Sequence, residues 1–177
     1  HAGDAKAQYR LGYLYAGALL GSRNREDIEM AIMWHNKAAA QGNADAQTAL
    51  GYIYFYGDWI KQDYAQALSL FTKAATQGNA LGQYGLGRLY NESKGVDQDY
   101  DEVFRWFTKA AEQGMVDAQY QLGMLYQGSS TTGIAPDYKR AFMWLVKAAE
   151  QGHVEAQFAI GQLYEDEYES GDADGVV

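Results

Sequence analysis

The chain has no cysteine, a single proline and three histidines, and no apolar run near the roughly 18–20 residues that a membrane-spanning helix needs. Without cysteine there are no disulfides, no thiolate metal sites and no cysteine nucleophile, although no compartment follows from that. Scarce proline beside abundant alanine favours helices, because proline breaks them and alanine has the best helix propensity. Basic charge is also short: 14 Lys and Arg stand against 23 Asp and Glu, a net charge of −9. Nucleic-acid binding normally needs a basic footprint, so that class is not expected. Glu165, Asp166, Glu167, Glu169, Asp172 and Asp174 crowd the end of the chain with no base among them, which leaves the body nearly neutral.

What is plentiful is glycine, 20 residues of it, and the glycines fall on a grid. Gln-Gly recurs at 41–42, 77–78, 113–114 and 151–152, each time after Lys-Ala-Ala. Leu/Ile-Gly recurs at 11–12, 50–51, 86–87, 122–123 and 160–161, each time followed by a tyrosine, at 15, 54, 90, 126 and 164. From turn glycine to tyrosine is always 12 residues, and from the aspartates 27, 63, 99 and 137 to the next turn glycine is always 15. Only the tyrosine-to-aspartate interval changes, reading 12, 9, 9 and 11. The fixed spans must therefore be packed, and the variable one must project as a loop.

Both fixed spans carry helical periodicity. Ala46, Leu50, Ile53 and Tyr54 form one stripe, and Tyr100, Val103, Trp106, Phe107, Ala110 and Ala111 another. Asp27, Asp63, Asp99 and Asp137 stand where they would cap the second helix, and Gln-Gly ends it. A mid-helix glycine costs about 1 kcal/mol against alanine, so its repetition at 51, 87, 123 and 161 implies helices too close there for a Cβ. The expected fold is all-α, a right-handed α/α solenoid of stacked antiparallel helix pairs. Repeats are expected at 4–42, 43–78, 79–114 and 115–152, with a lone first helix at 153–164 and an acidic loop or tail at 165–177.

The run Leu86-Gly87, Tyr90, Gly95-Val96, Asp99-Tyr100, Trp106-Phe107, Lys109-Ala110-Ala111 and Gln113-Gly114 resembles the Sel-one-like repeat (SLR), a relative of the tetratricopeptide repeat. The resemblance covers almost the whole chain. It implies a solenoid whose members act as adaptors, regulators or bacterial host-interaction and immunity proteins, and what they share is binding other proteins. Ile28 replaces the tyrosine of the Asp-Tyr pair. His1-Ala2 falls where a preceding second helix would end, and Gly175-Val176 matches Gly95-Val96 just before one. A fragment of a longer array, or an end that stops mid-unit, is therefore expected, and a monomer whose exposed ends leave end-to-end self-association open.

No catalytic, cofactor or metal residue is expected. His35 shares a column with Phe71, Phe107 and Leu145 and reads as packing, and His153 follows a turn glycine without ligand spacing around it. Trp34, Trp106 and Trp144 recur at one second-helix position and read as core, as do the five repeat tyrosines. Trp59 instead lies in a variable loop, as a partner anchor or packed on its own loop.

The columns that vary along the first helices should be surface, and in the family that helix lines the concave side. Arg10, Tyr13, Tyr52, Phe55, Arg88, Gln121, Met124 and Gln162 form that stripe, with Ala49, Gly85 and Ala159 leaving room for a partner's side chains. The resulting expectation is a non-enzymatic scaffold that holds a protein or peptide partner. An immunity or regulatory protein blocking a dedicated partner through its loop edge is the alternative, and its acidic end would steer a basic partner. A cell-wall glycan hydrolase would need two carboxylates across a cleft, which adjacent Asp101 and Glu102 do not supply. A structural spacer would bind nothing.

Overall fold

A computed structural model describes residues 3–18, 25–58, 60–128 and 134–170. Trp59, His1-Ala2 and residues 171–177, with Asp172, Asp174 and Gly175-Val176, lie outside the described residues. The described elements are all helical: α1 Ala5–Tyr13, running into a π-helical turn Leu14–Ala18, then α2 Arg25–Ala40, α3 Ala44–Tyr56, α4 Tyr64–Thr76, α5 Ala80–Asn91, α6 Tyr100–Glu112, α7 Val116–Gln127, α8 Tyr138–Glu150 and α9 Val154–Ser170. Neighbouring helices pack as pairs, α1 with α2, α3 with α4 and α7 with α8. The chain forms two compact units, His1–Val103 and Phe104–Val177, divided within α6.

The pairs end and begin where local chemistry directs. Gly42, Gly78, Gly114 and Gly152 sit at φ of +85° to +90°, a left-handed conformation that glycine enters without steric cost. At the first of these turns the amide of Asn43 donates to the carbonyl of Ala38, closing the α2 end as a Schellman motif. After Gly42 and Gly78 the next residue caps the following helix, a role the periodicity had not marked, whereas Met115 after Gly114 makes no side-chain cap. Asn43 accepts from the amide of Ala46 at 2.8 Å and Asn79 from that of Gly82 at 2.8 Å. Asp63, Asp99 and Asp137 cap α4, α6 and α8 as expected. Asp27 does not cap α2. The helix starts two residues earlier at Arg25, so Asp27 lies in its first turn, where an acid favours the positive end of the helix dipole.

In unit 1 the core is built around the approach of paired helices. A Cβ on Gly51 would lie 2.5 Å from the buried Phe71 ring, and one on Gly12 2.5 Å from the His35 ring. Unit 2 repeats the arrangement, with Leu145 filling the space beside Gly123 at 2.5 Å. Trp106 and Trp144 are buried there, and the ammonium groups of Lys109 and Lys147 lie 4.6 Å and 4.4 Å from their ring centres. Ala141, Leu145, Ala148, Ala156, Ala159 and Leu163 complete the core of α8 and α9.

Buried glutamines tie each pair to the one before. In unit 1, Gln47 donates to the carbonyl of Ala39 at 3.3 Å and accepts from the Gln77 amide at 2.7 Å. In unit 2, Gln119 donates to the carbonyl of Ala111 at 3.2 Å and accepts from Gln151 at 2.7 Å. Replacing Gln119 by Leu removes both bonds, while the Ala111 carbonyl keeps the Gly114 amide and Gln151 keeps the Lys147 carbonyl. A loss of about 1 kcal/mol is expected in a urea titration, the net worth of ordinary hydrogen bonds whose partners are not left unpaired.

One boundary differs from the sequence reading. Residues 165–170 continue α9 and are not loop. The other first helices of the repeats run out at or near glycine or a turn, whereas no glycine follows Tyr164 until Gly171, and glutamate is a good helix former.

Candidate protein-binding face

In unit 1 the varying stripe maps onto α1, α3 and α5 with unequal exposure. Arg10 is exposed and Tyr13 is 63% exposed, its ring 6.4 Å from that of Tyr9. Tyr52 is half-buried. Its hydroxyl donates to the carbonyl of Leu81 at 3.4 Å, and its ring stacks on Tyr56 at 5.9 Å and 18°. Leu81 is itself exposed.

Phe55 is a correction. It is 1% exposed and belongs to the core, edge-on to Tyr56 at 5.1 Å and Tyr64 at 5.8 Å. Six residues separate the two edge columns of the stripe, and at 3.6 residues per turn they stand about 120° apart around the helix. Both cannot lie on one open face. The same geometry closes the spaces expected at Gly85, where a Cβ would lie 2.7 Å from Phe71, and at Ala159, which is buried. Ala49 is half-buried.

The exposed ring next to Phe55 is Tyr56, at 51%, which the repeat columns did not single out. It lies four residues after Tyr52, so the helical i, i+4 relation places the two on one face. Arg88 fixes its position: Nη1 donates to the Tyr56 hydroxyl at 2.8 Å and Nε to Glu92 at 2.8 Å. The guanidinium lies 4.5 Å from the centre of the Phe55 ring. Lys94 completes the cluster, 2.7 Å from the other Glu92 oxygen and 4.9 Å from the Phe55 ring centre. Burial opposes the ionisation of Glu92, but hydrogen bonds and charge from Lys94 and Arg88 outweigh it and hold the carboxyl below its usual range. For Arg88 burial works against the charged form, and the bonds to Tyr56 and Glu92 more than offset it. Arg88 thus orders an aromatic surface.

In unit 2, Gln121 and Met124 are half-buried on α7, with Met124 packed against the α8–α9 core, and Gln162 is exposed on α9. Phe158 and Tyr164 of α9 are also exposed, and Gly161 has nothing within 4 Å of where a Cβ would stand.

Among the described residues no three His, Cys, Asp or Glu are grouped to hold a metal, and no helix is long and apolar enough to cross a membrane. His153 caps α9, accepting from the amide of Ala156 at 3.2 Å while its ring stacks on Tyr120 at 4.5 Å. An open cleft of about 630 Å³ between Ile32, Tyr54 and residues 60–64 offers only Lys61 and Asp63 as charged groups, and Asp63 is occupied as the α4 cap.

The sequence pattern of the Sel1 repeat matches residues 5–43, 44–79, 80–115 and 116–153. The chain belongs to the Sel1 repeat family. An SLR-fold protective antigen present in uropathogenic Escherichia coli strains is similar over 93% of this chain at 33% identity and a TM-score of 0.84. A Sel1 repeat protein of Oxalobacter formigenes is similar over 99% at 32% identity and a TM-score of 0.81. A sel1 repeat protein of Klebsiella pneumoniae shares the fold more distantly, at 24% identity over 92% of this chain and 94% of its own, with a TM-score of 0.54. The chain spans 34% of the length of the E. coli protein and 66% of the Oxalobacter one. The solenoid fold expected from the repeat is that of these bacterial relatives. Sel1 repeat proteins generally mediate protein–protein interaction.

Proposed function

We propose that this Sel1 repeat array is a non-enzymatic scaffold that binds a protein or peptide through the solvent-facing side of the first helix of each pair. In unit 1 the contact surface is Arg10, Tyr13, Tyr52 and Tyr56, with Arg88 holding Tyr56 in place. In unit 2 Gln121, Met124 and Gln162 contribute. The observation that carries the reading is the exposure of tyrosines on α1 and α3, Tyr13 on the first and, stacked on the half-buried Tyr52, Tyr56 on the second. Tyrosines of this kind are enriched at binding hot spots, since they offer a large rigid contact area and lose little conformational freedom on binding.

The test is capture from a lysate of the source cell with immobilised wild-type chain beside a Tyr13→Ala/Tyr56→Ala variant of unchanged circular dichroism. A partner held by the wild type and lost from the variant, with affinity reduced at least about tenfold, is the expected result. Equal capture by both would move recognition off this face.

A further inference from the structure

We propose that His35 makes the first repeat acid-responsive: when its imidazole takes up a proton, α1 comes away from α2 while the remaining helix pairs stay packed. The column that His35 occupies holds Phe71, Phe107 and Leu145 elsewhere, all fully buried apolar side chains. His35 is just as enclosed, at 2% exposure, with its ring against Gly12 of α1 and 5.6 Å from the Tyr9 ring. Its Nδ1 is buried with no hydrogen-bond partner among the described residues, and the same holds for Nε1 of the adjacent Trp34.

Among the described residues no acid acts on the ring to offset a positive charge there. From α1 the group facing His35 is Tyr9, whose own ionisation is suppressed first by burial and then by the charge of Asp45 on α3. Asp45 acts on Tyr9, and no carboxylate acts on the imidazole. On its own helix, Lys37 lies 4.4 Å from the centre of the Trp34 ring and adds positive charge. Burial alone pushes the imidazole down to about 4, so protonation from near neutral pH is met by exposing the ring. Two residues after Gly12, α1 passes into a π-helical turn, a rare geometry found frequently at functional sites.

The sign follows from the direction of the shift. An undocked α1 returns His35 to about 6.5, so docking is fully favoured above that pH and weakens as pH falls toward 4. Between pH 7 and pH 5 the open fraction of α1 should rise about 20-fold. Because α1 carries Arg10 and Tyr13, the same proton would remove part of the binding face. That consequence rests on the function proposed above, whereas the opening of α1 does not.

Amide hydrogen exchange at pH 7 and pH 5, corrected for intrinsic rates, tests it on the whole chain. The expected result is an approximately 20-fold rise in opening over residues 5–13, with residues 138–150 unchanged, abolished in both His35→Phe and His35→Leu. Phe and Leu already fill this column at positions 71 and 145, so each variant has a precedent in the fold. Opening of α1 that is equal at the two pH values, or that rises equally in both variants, would overturn the proposal.

Discussion

Truncating Phe71 to alanine is expected to destabilise unit 1 by about 3–5 kcal/mol, read as a fall in the urea midpoint at constant m-value. Phe71 is fully buried and stands where several elements of the unit converge. Its ring fills the spaces beside Gly51 on α3 and Gly85 on α5 and meets the Tyr52 ring edge-on at 4.8 Å. Removing it leaves a cavity lined from three helices, and two of those walls are glycines with no side chain to move in. Little relaxation is available, so the upper part of the range is expected. Tyr52 also loses the edge contact that orients it, and partner binding should weaken with stability. A cost below about 1 kcal/mol would mean that α3, α4 and α5 do not depend on this ring.

Adding one methyl group to the repeat's mid-helix glycine should give opposite results at two positions. At Gly51 two effects compete. Alanine gains about 1 kcal/mol of helix propensity, but the new Cβ would lie 2.5 Å from Cε1 and 2.7 Å from Cδ1 of Phe71. A fully buried ring cannot swing aside without displacing α4 or α5, and overpacking of this kind costs about 1–3 kcal/mol. Gly51→Ala is therefore expected to destabilise on balance. Gly161 occupies the same place in the repeat, yet nothing lies within 4 Å of its Cβ direction. There the propensity term stands alone, and Gly161→Ala should stabilise α9 by up to about 1 kcal/mol. Thermal or urea titrations of the two variants decide it. Effects of the same sign at both positions would break the link between this column and close helix approach.

That column shows how far a single sequence reaches. Gly12, Gly51 and Gly123 stood on a fixed grid, and their partners His35, Phe71 and Leu145 stood on another, so the packing of first on second helix could be read before any coordinate. Repetition made it legible at Gly12, Gly51 and Gly123, but the same reading fails at Gly161, which has nothing within 4 Å of its Cβ direction. The binding face was less legible for the converse reason. Its columns vary, and variation does not say which way a side chain points. Phe55 and Tyr56 are neighbours on α3, one in the core and the other half in solvent, and a three-residue spacing drifts far enough around the helix to put the wrong one on the surface. Following Tyr52 by four residues to Tyr56 would have found it. Arg88 read as a member of the partner-facing stripe. Its commitment to Tyr56 and Glu92 depends on contacts between different helices, which no local pattern encodes. The run of acids after Tyr164 read as the next variable loop from its place between Tyr164 and Gly175-Val176, although its residues have adequate helix propensity and no glycine to stop them before Gly171.

The most direct test of the account places a photo-crosslinking amino acid at single positions and irradiates the chain with its captured partner. Tyr13 and Tyr56 sample the first-helix face, and Thr72 and Thr76 sample the exposed side of α4. The account predicts covalent adducts from positions 13 and 56 and none from 72 or 76. Adducts from 72 and 76 with none from 13 and 56 would contradict it and place recognition on the second helices.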